Sequence, residues 1–260
     1  MLRRKLVIWG ALAQATVLES VRRKDLYVAV ILSVLMIGAA SLVGRFGVSG
    51  LEIFLKSATL TVINVLSAIL AVVFAARQVP EEISRRTIYP LLARPISRTD
   101  LILGKFLGSC VLAALSLMIF AAIGWGALSL YGLHTGAIFW QYLLLRFFVL
   151  ILLCAMTLTL SIFMTPQATV TVALLAAIGS QAFSQSVLLM DKTLTGGGQW
   201  LLRGAYFALP EFNLFDLSAK VSHGWTPISW WAIVALLLYA LLHSAVSLMV
   251  AGLRFRKVAL

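Results

Sequence analysis

Few residues of this 260-residue chain could do chemistry, and their spacing excludes more than it permits. His134, His223 and His243 are the three imidazoles, and none has a glutamate placed to share a metal ion with it. The His-Glu-x-x-His helix motif is absent, and an intramembrane serine protease would need its histidine at depth, whereas these fall toward one predicted surface. The stretch GKFLG, 104 to 108, lacks the preceding glycine and the following hydroxyl that cradle a nucleotide phosphate. Cys110 and Cys154 lie inside apolar runs and read as small buried hydrophobes, not as a disulfide or metal pair. The chain is expected to be no enzyme and to hold no cofactor or metal of its own.

What remains is a sparse set of polar groups within apolar runs. Arg146 is the one charge well inside such a run. Two readings stay open for it: a substrate or gating contact, or a structural anchor that snorkels to the interface marked by Trp140 and Tyr142. Asn64 and Ser67 form one polar pair, and Gln181, Ser184 and Gln185 share a helical face at spacings of three and four. Each set could line a path or gate, or tie helices together. Gly104 and Gly108 flank Lys105 as a small-xxx-small pair, assigned to close span packing. Glu211 and Asp216 read as solvated loop carboxylates.

The densest chemistry is PEEISRRTIYPLLARPISR, residues 80 to 98. Pro80 suits a first helical position, and Glu81 and Glu82 then complement the positive end of the helix dipole. Glu81 with Arg85, and Glu82 with Arg86, are four apart in the favourable order. Pro90 disfavours helix at Tyr89. These signals predict a short helix carrying Ile83, Ile88, Tyr89, Leu91 and Leu92. A helix of about ten residues is marginal alone in water, so it docks on something. That is either its own span ends or a groove on a partner.

The elements that hold these groups are membrane spans. Hydrophobic residues make up 62%, charged residues 12%, and mean hydropathy is +1.02, far from an ordinary globular domain. Apolar runs predict six transmembrane helices near 26–44, 57–76, 102–129, 139–163, 168–189 and 229–252. An uncharged stretch from Leu6 to Leu18, too short to cross, predicts an N-terminal interfacial helix within 1–25. With loops assigned alternately, fifteen of the 21 Lys and Arg fall on one side, five on the other, and Arg146 inside a span. The positive-inside rule then makes both termini cytoplasmic and explains the net charge of +12 without nucleic acid. Residues 77–100 become a cytoplasmic segment between spans 2 and 3, and 190–228 an outer loop carrying short amphipathic helices. The expected fold is one all-α membrane domain, 1–260, embedded in a lipid bilayer.

A pattern now stands out. Glu82, Thr87, Leu91, Leu92, Pro95 and Arg98, followed by Leu103, Gly104, Lys105 and Gly108, resembles the cytoplasmic signature of type-2 ABC transporter permeases. This exporter class includes the membrane subunit of the nitrous-oxide reductase maturation system. The sequence departs at Arg86, where the family often has glycine. The N-terminal helix, the long outer loop and its LPEFNLFDL stretch are also similar to the family. The resemblance implies a bacterial inner-membrane exporter subunit. Its coupling helix would engage a separate cytoplasmic ATPase through Pro80, Glu81, Glu82, Ile83, Arg85, Arg86, Thr87, Tyr89, Leu91, Leu92, Pro95 and Arg98. Two ATPase copies would hold the ATP and Mg, and a second permease copy would complete a homodimer. The rival reading from the residues is an ion-gradient-driven secondary transporter, which would be expected to carry midplane acids or broken helices in paired halves. An intramembrane enzyme is the remaining alternative.

Overall fold

The computed structural model describes residues 2–21, 25–43, 50–84, 97–133, 135–190 and 210–257, with 2–6, 21, 25–26, 41–43, 84, 181–190 and 256–257 as backbone only. Among the described residues every regular element is helical. The helices are α1 (Leu2–Val21), α2 (Asp25–Val43), α3 (Leu51–Ser84), α4 (Arg98–Leu130), α5 (Ala137–Leu160), α6 (Pro166–Met190), α7 (Ser218–Ser222) and α8 (Trp230–Lys257), with a 3₁₀ turn at Phe212–Phe215. Local signals set several boundaries. Ser97 caps α4 by accepting from the Asp100 backbone N–H at 3.1 Å, and Asp100 places a carboxylate in the first turn. Pro166 opens α6, where its missing N–H would have no intrahelical partner.

Four helices are long and apolar enough to cross a bilayer: Leu51–Ile83, Arg98–Leu130, Ala137–Leu160 and Trp230–Phe255. The shortest has 24 residues, about 36 Å at the α-helical rise, against a hydrocarbon core of about 30 Å. The chain is therefore a membrane-embedded helical protein. Within α2 and α6 the apolar stretches described with side chains are shorter, Tyr27–Ala40 and Pro166–Ser180. Helix α3 is the hub, with Leu60, Ile63, Ala71, Val72, Ala75 and Ala76 fully buried against its neighbours. Helix α8 keeps most of its surface outward, Leu238, Leu242 and Leu253 among it, as a lipid-facing helix does. Cys110 and Cys154 are free and buried, as expected for small apolar residues.

Two expectations about local structure are corrected. Pro80 does not begin a separate helix; it lies inside α3, which continues to Ser84. Proline there removes the intrahelical bond to the Ala76 carbonyl and costs about 3 kcal/mol in an isolated helix. Packing outweighs that preference, because the turn before it is buried at Ala75, Ala76, Gln78 and Val79. The N-terminal helix, expected to lie flat on a leaflet, instead docks along α4. Trp9 meets Asp100, Leu12 faces Gly104 and Thr16 faces Gly108, so the two helices advance together and run parallel. A helix aligned with a span cannot also lie in the membrane plane. The described part of the segment before α8 holds the 3₁₀ turn and α7.

Candidate functional site

One polar locus forms the stem of the charged segment, where the end of α3 meets the start of α4. Glu82 Oε1 pairs with Lys105 Nζ at 2.5 Å, and their side chains are only 16% and 5% exposed. Removing one partner of a buried pair of this kind is costly. Arg98 Nη1 donates to the Phe255 carbonyl at 3.1 Å, tying the first residue of α4 to the end of α8. Trp9 Nε1 donates to Asp100 Oδ1 at 2.9 Å, tying α1 to the same turn. The Ser97 hydroxyl donates to Asp100 Oδ2 at 2.5 Å. Beneath these contacts lies an apolar floor of Leu12, Val79, Leu101, Ile102, Leu158, Ala251 and Phe255, drawn from five helices. The stem is therefore in contact with residues of α1, α3, α4, α5 and α8.

Of the residues assigned to coupling, Pro80, Glu81, Glu82 and Ile83 form the last turns of α3, and Arg98 opens α4. Arg85, Arg86, Thr87, Tyr89, Leu91, Leu92 and Pro95 lie outside the described residues, and with them the expected Glu81–Arg85 and Glu82–Arg86 pairs. Gly104 and Gly108 do pack closely, and their partner is α1. A Cβ on Gly104 would come within 2.6 Å of Leu12 Cβ, and one on Gly108 within 2.7 Å of Thr16 Cβ. Lys105, assigned to span packing alone, carries the ion pair as well.

The second locus lies between α3 and α5 and brings together three residues that the sequence singled out. These helices also run parallel, with Tyr142 opposite Leu60 and Cys154 opposite Ala71. Arg146 sits midway along this contact. Its Nη2 donates to the Asn64 carbonyl and its Nε to Ser67 Oγ at 3.4 Å. Snorkelling to the nearby interface does not describe it: the guanidinium turns across to α3. Asn64 is the centre of the cluster, since its Oδ1 accepts from the Tyr142 hydroxyl at 2.8 Å and its Nδ2 donates to Ser218 Oγ at 2.9 Å. Ser218 donates in turn to Asp216 Oδ1 from its hydroxyl at 2.5 Å and its backbone N–H at 2.9 Å.

Asp216, expected to be merely solvated, is indeed exposed, yet it is tied to Asn64 through Ser218. The segment around it is pinned at two further points. The Tyr239 hydroxyl oxygen of α8 accepts the Glu211 backbone N–H at 3.0 Å. Gln141 of α5 bonds both polar backbone groups of Ile228, at 3.0 and 2.8 Å. Sequence reasoning missed Tyr142, Ser218 and Asp216 as members. The one available signal was the spacing of Asn64 with Ser67 and of Tyr142 with Arg146, which puts matching polar pairs on two helices. Gln181, Ser184 and Gln185 lie on α6, described there as backbone only.

Among the described residues no group of His, Cys, Asp and Glu could hold a metal ion, and His243 is stacked on Tyr239 at 4.2 Å. Comparison with curated proteins finds no match to the chain. The family described as "Protein of unknown function (DUF2705)" matches residues 26–258, nearly the whole length, and the chain belongs to that family.

Proposed function

We propose that the chain is the membrane-spanning permease of an ATP-driven exporter of the type-2 ABC class, working with a separate ATPase. In this reading α2 and α6 cross the bilayer with the four longer helices, and the arginine-rich end of the bundle faces the cytoplasm. Residues 85–96 then carry the contact with the ATPase subunit. The observation that carries the reading is the stem beneath that segment. A loop that only joined two spans would need no buried ion pair, yet α3 and α4 are joined there by Glu82 and Lys105 and fastened to α1 and α8 through Trp9 and Arg98. Such a stem converts a push on the loop into a common movement of several helices. ATP-driven closure of the ATPase pair would supply the push, and a path between two permease copies would switch its access.

The Arg146 cluster favours a second reading, an ion-gradient-driven carrier, because ionisable groups within spans mark ion pathways in such proteins. One experiment separates the two. In vesicles holding the permease with its ATPase, Glu82→Lys or Pro95→Ala should uncouple ATP hydrolysis from transport while both subunits remain bound. Unchanged coupling in both variants rejects the exporter reading; transport that collapses with the proton or sodium gradient, and ignores ATP, establishes the carrier.

A further inference from the structure

The cation at the α3–α5 contact is hydrogen-bonded by neutral groups. The Asn64 carbonyl and the Ser67 hydroxyl, its bonded partners, are both neutral. Among the described residues no carboxylate stands within ion-pair distance of Arg146. Asp216 is linked to the cluster through Ser218 and Asn64, with its own Oδ1 engaged by Ser218. A guanidinium carries five N–H donors, and two are used in these bonds. The guanidinium is largely buried, while part of the residue stays accessible. A cation inside a membrane-spanning helix is costly, and a bound anion relieves that cost.

We propose that Arg146 is the docking point for an oxyanion head group, phosphate or carboxylate, on the compound this protein moves. The proposal rests on the permease reading for the word "moves", and on the cluster alone for the binding. The chemistry follows from the side chain: the planar guanidinium fork matches two oxygens of one oxyanion and sheds its hydration more readily than an ammonium. Asn64 meets Arg146 through its backbone carbonyl and Ser218 through its side-chain amide, so the cation and the Asp216–Ser218 turn share one residue of α3. The transported anion supplies the charge that these neutral partners do not.

The test uses the full chain, without any ATPase, in phosphatidylcholine nanodiscs, and follows its melting temperature as probes are added. Dodecyl phosphate should raise the Tm and dodecanol should not. Binding of dodecyl phosphate should weaken roughly tenfold to a hundredfold in Arg146→Gln, the loss of hydrogen bonds to a charged group. Arg146→Lys, which keeps the charge but not the fork, should fall between. Inorganic phosphate and nanodiscs containing phosphatidylglycerol separate a free oxyanion from a lipid head group, and an Arg146-dependent response to either supports the site. Equal responses to dodecyl phosphate and dodecanol overturn the proposal, as does undiminished binding in Arg146→Gln. Should the Gln variant not fold, dodecyl phosphate binding by Arg146→Lys as tight as wild type overturns it instead. Because no ATPase is present, failure here leaves the coupling experiment untouched, and failure there leaves this result standing.

Discussion

Breaking the Glu82–Lys105 pair should show how far the stem is a single mechanical unit. Lys105→Met takes the ammonium away from Glu82, whose side chain is 16% exposed, and Glu82→Gln leaves an ammonium only 5% exposed. Removing one partner of a buried pair costs about 3–5 kcal/mol. The Met variant belongs near the lower figure, because Glu82 keeps some contact with solvent, and the Gln variant near the upper. Replacing both partners removes both charges, which is often close to neutral. Glu82→Gln with Lys105→Met should therefore lie within about 1–2 kcal/mol of wild type, far from the sum of the single changes. Equilibrium unfolding in mixed micelles, followed by far-UV circular dichroism, measures all four corners of the cycle. Additive single changes, with an interaction energy below about 0.5 kcal/mol, would refute the reasoning that this pair joins α3 to α4.

Other substitutions probe neighbouring contacts. Gly104→Val should push Leu12 aside and cost about 1–3 kcal/mol by overpacking in equilibrium unfolding, with Gly108→Val acting likewise on Thr16 and the double change less than additive. Trp9→Phe should cost about 1.5–3 kcal/mol in unfolding through the lost bond to the Asp100 carboxylate, with Trp9→Leu no better. Pro80→Ala should restore an N–H to the Ala76 carbonyl and raise stability by roughly 1 kcal/mol or more, read as a higher Tm. Asn64→Leu should free the Asp216–Ser218 turn and speed hydrogen exchange there relative to α5.

Hydropathy made the long spans legible because burial in lipid leaves an uninterrupted apolar run, and α3, α4, α5 and α8 carry one each. It could not see that α3 continues through Pro80, since local propensity disfavours the helix there and the packing of Val79 against Leu101 and Ile102 lies in another part of the sequence. Gly104 and Gly108 announced a close approach but not its partner; a pair of small residues states how near a helix comes, not which one. Composition likewise showed Leu6 to Leu18 as too short to span, which says nothing of a berth beside α4. At the candidate site, Asn64, Ser67 and Arg146 stood out as polar residues in oil. Their convergence depends on the register of α3 against α5, and Asp216 joins them from a segment without periodicity.

The most direct test of the ATP-driven permease is purification of the tagged chain from its own membranes under mild detergent, with ATP hydrolysis measured on the product. The account expects an ATP-hydrolysing subunit in equal number to retain its hold on the chain, and expects deletion of residues 85–96 to release it while the chain stays folded. Recovery of the chain alone, moving solute across vesicles with no ATP and no companion protein, would contradict it.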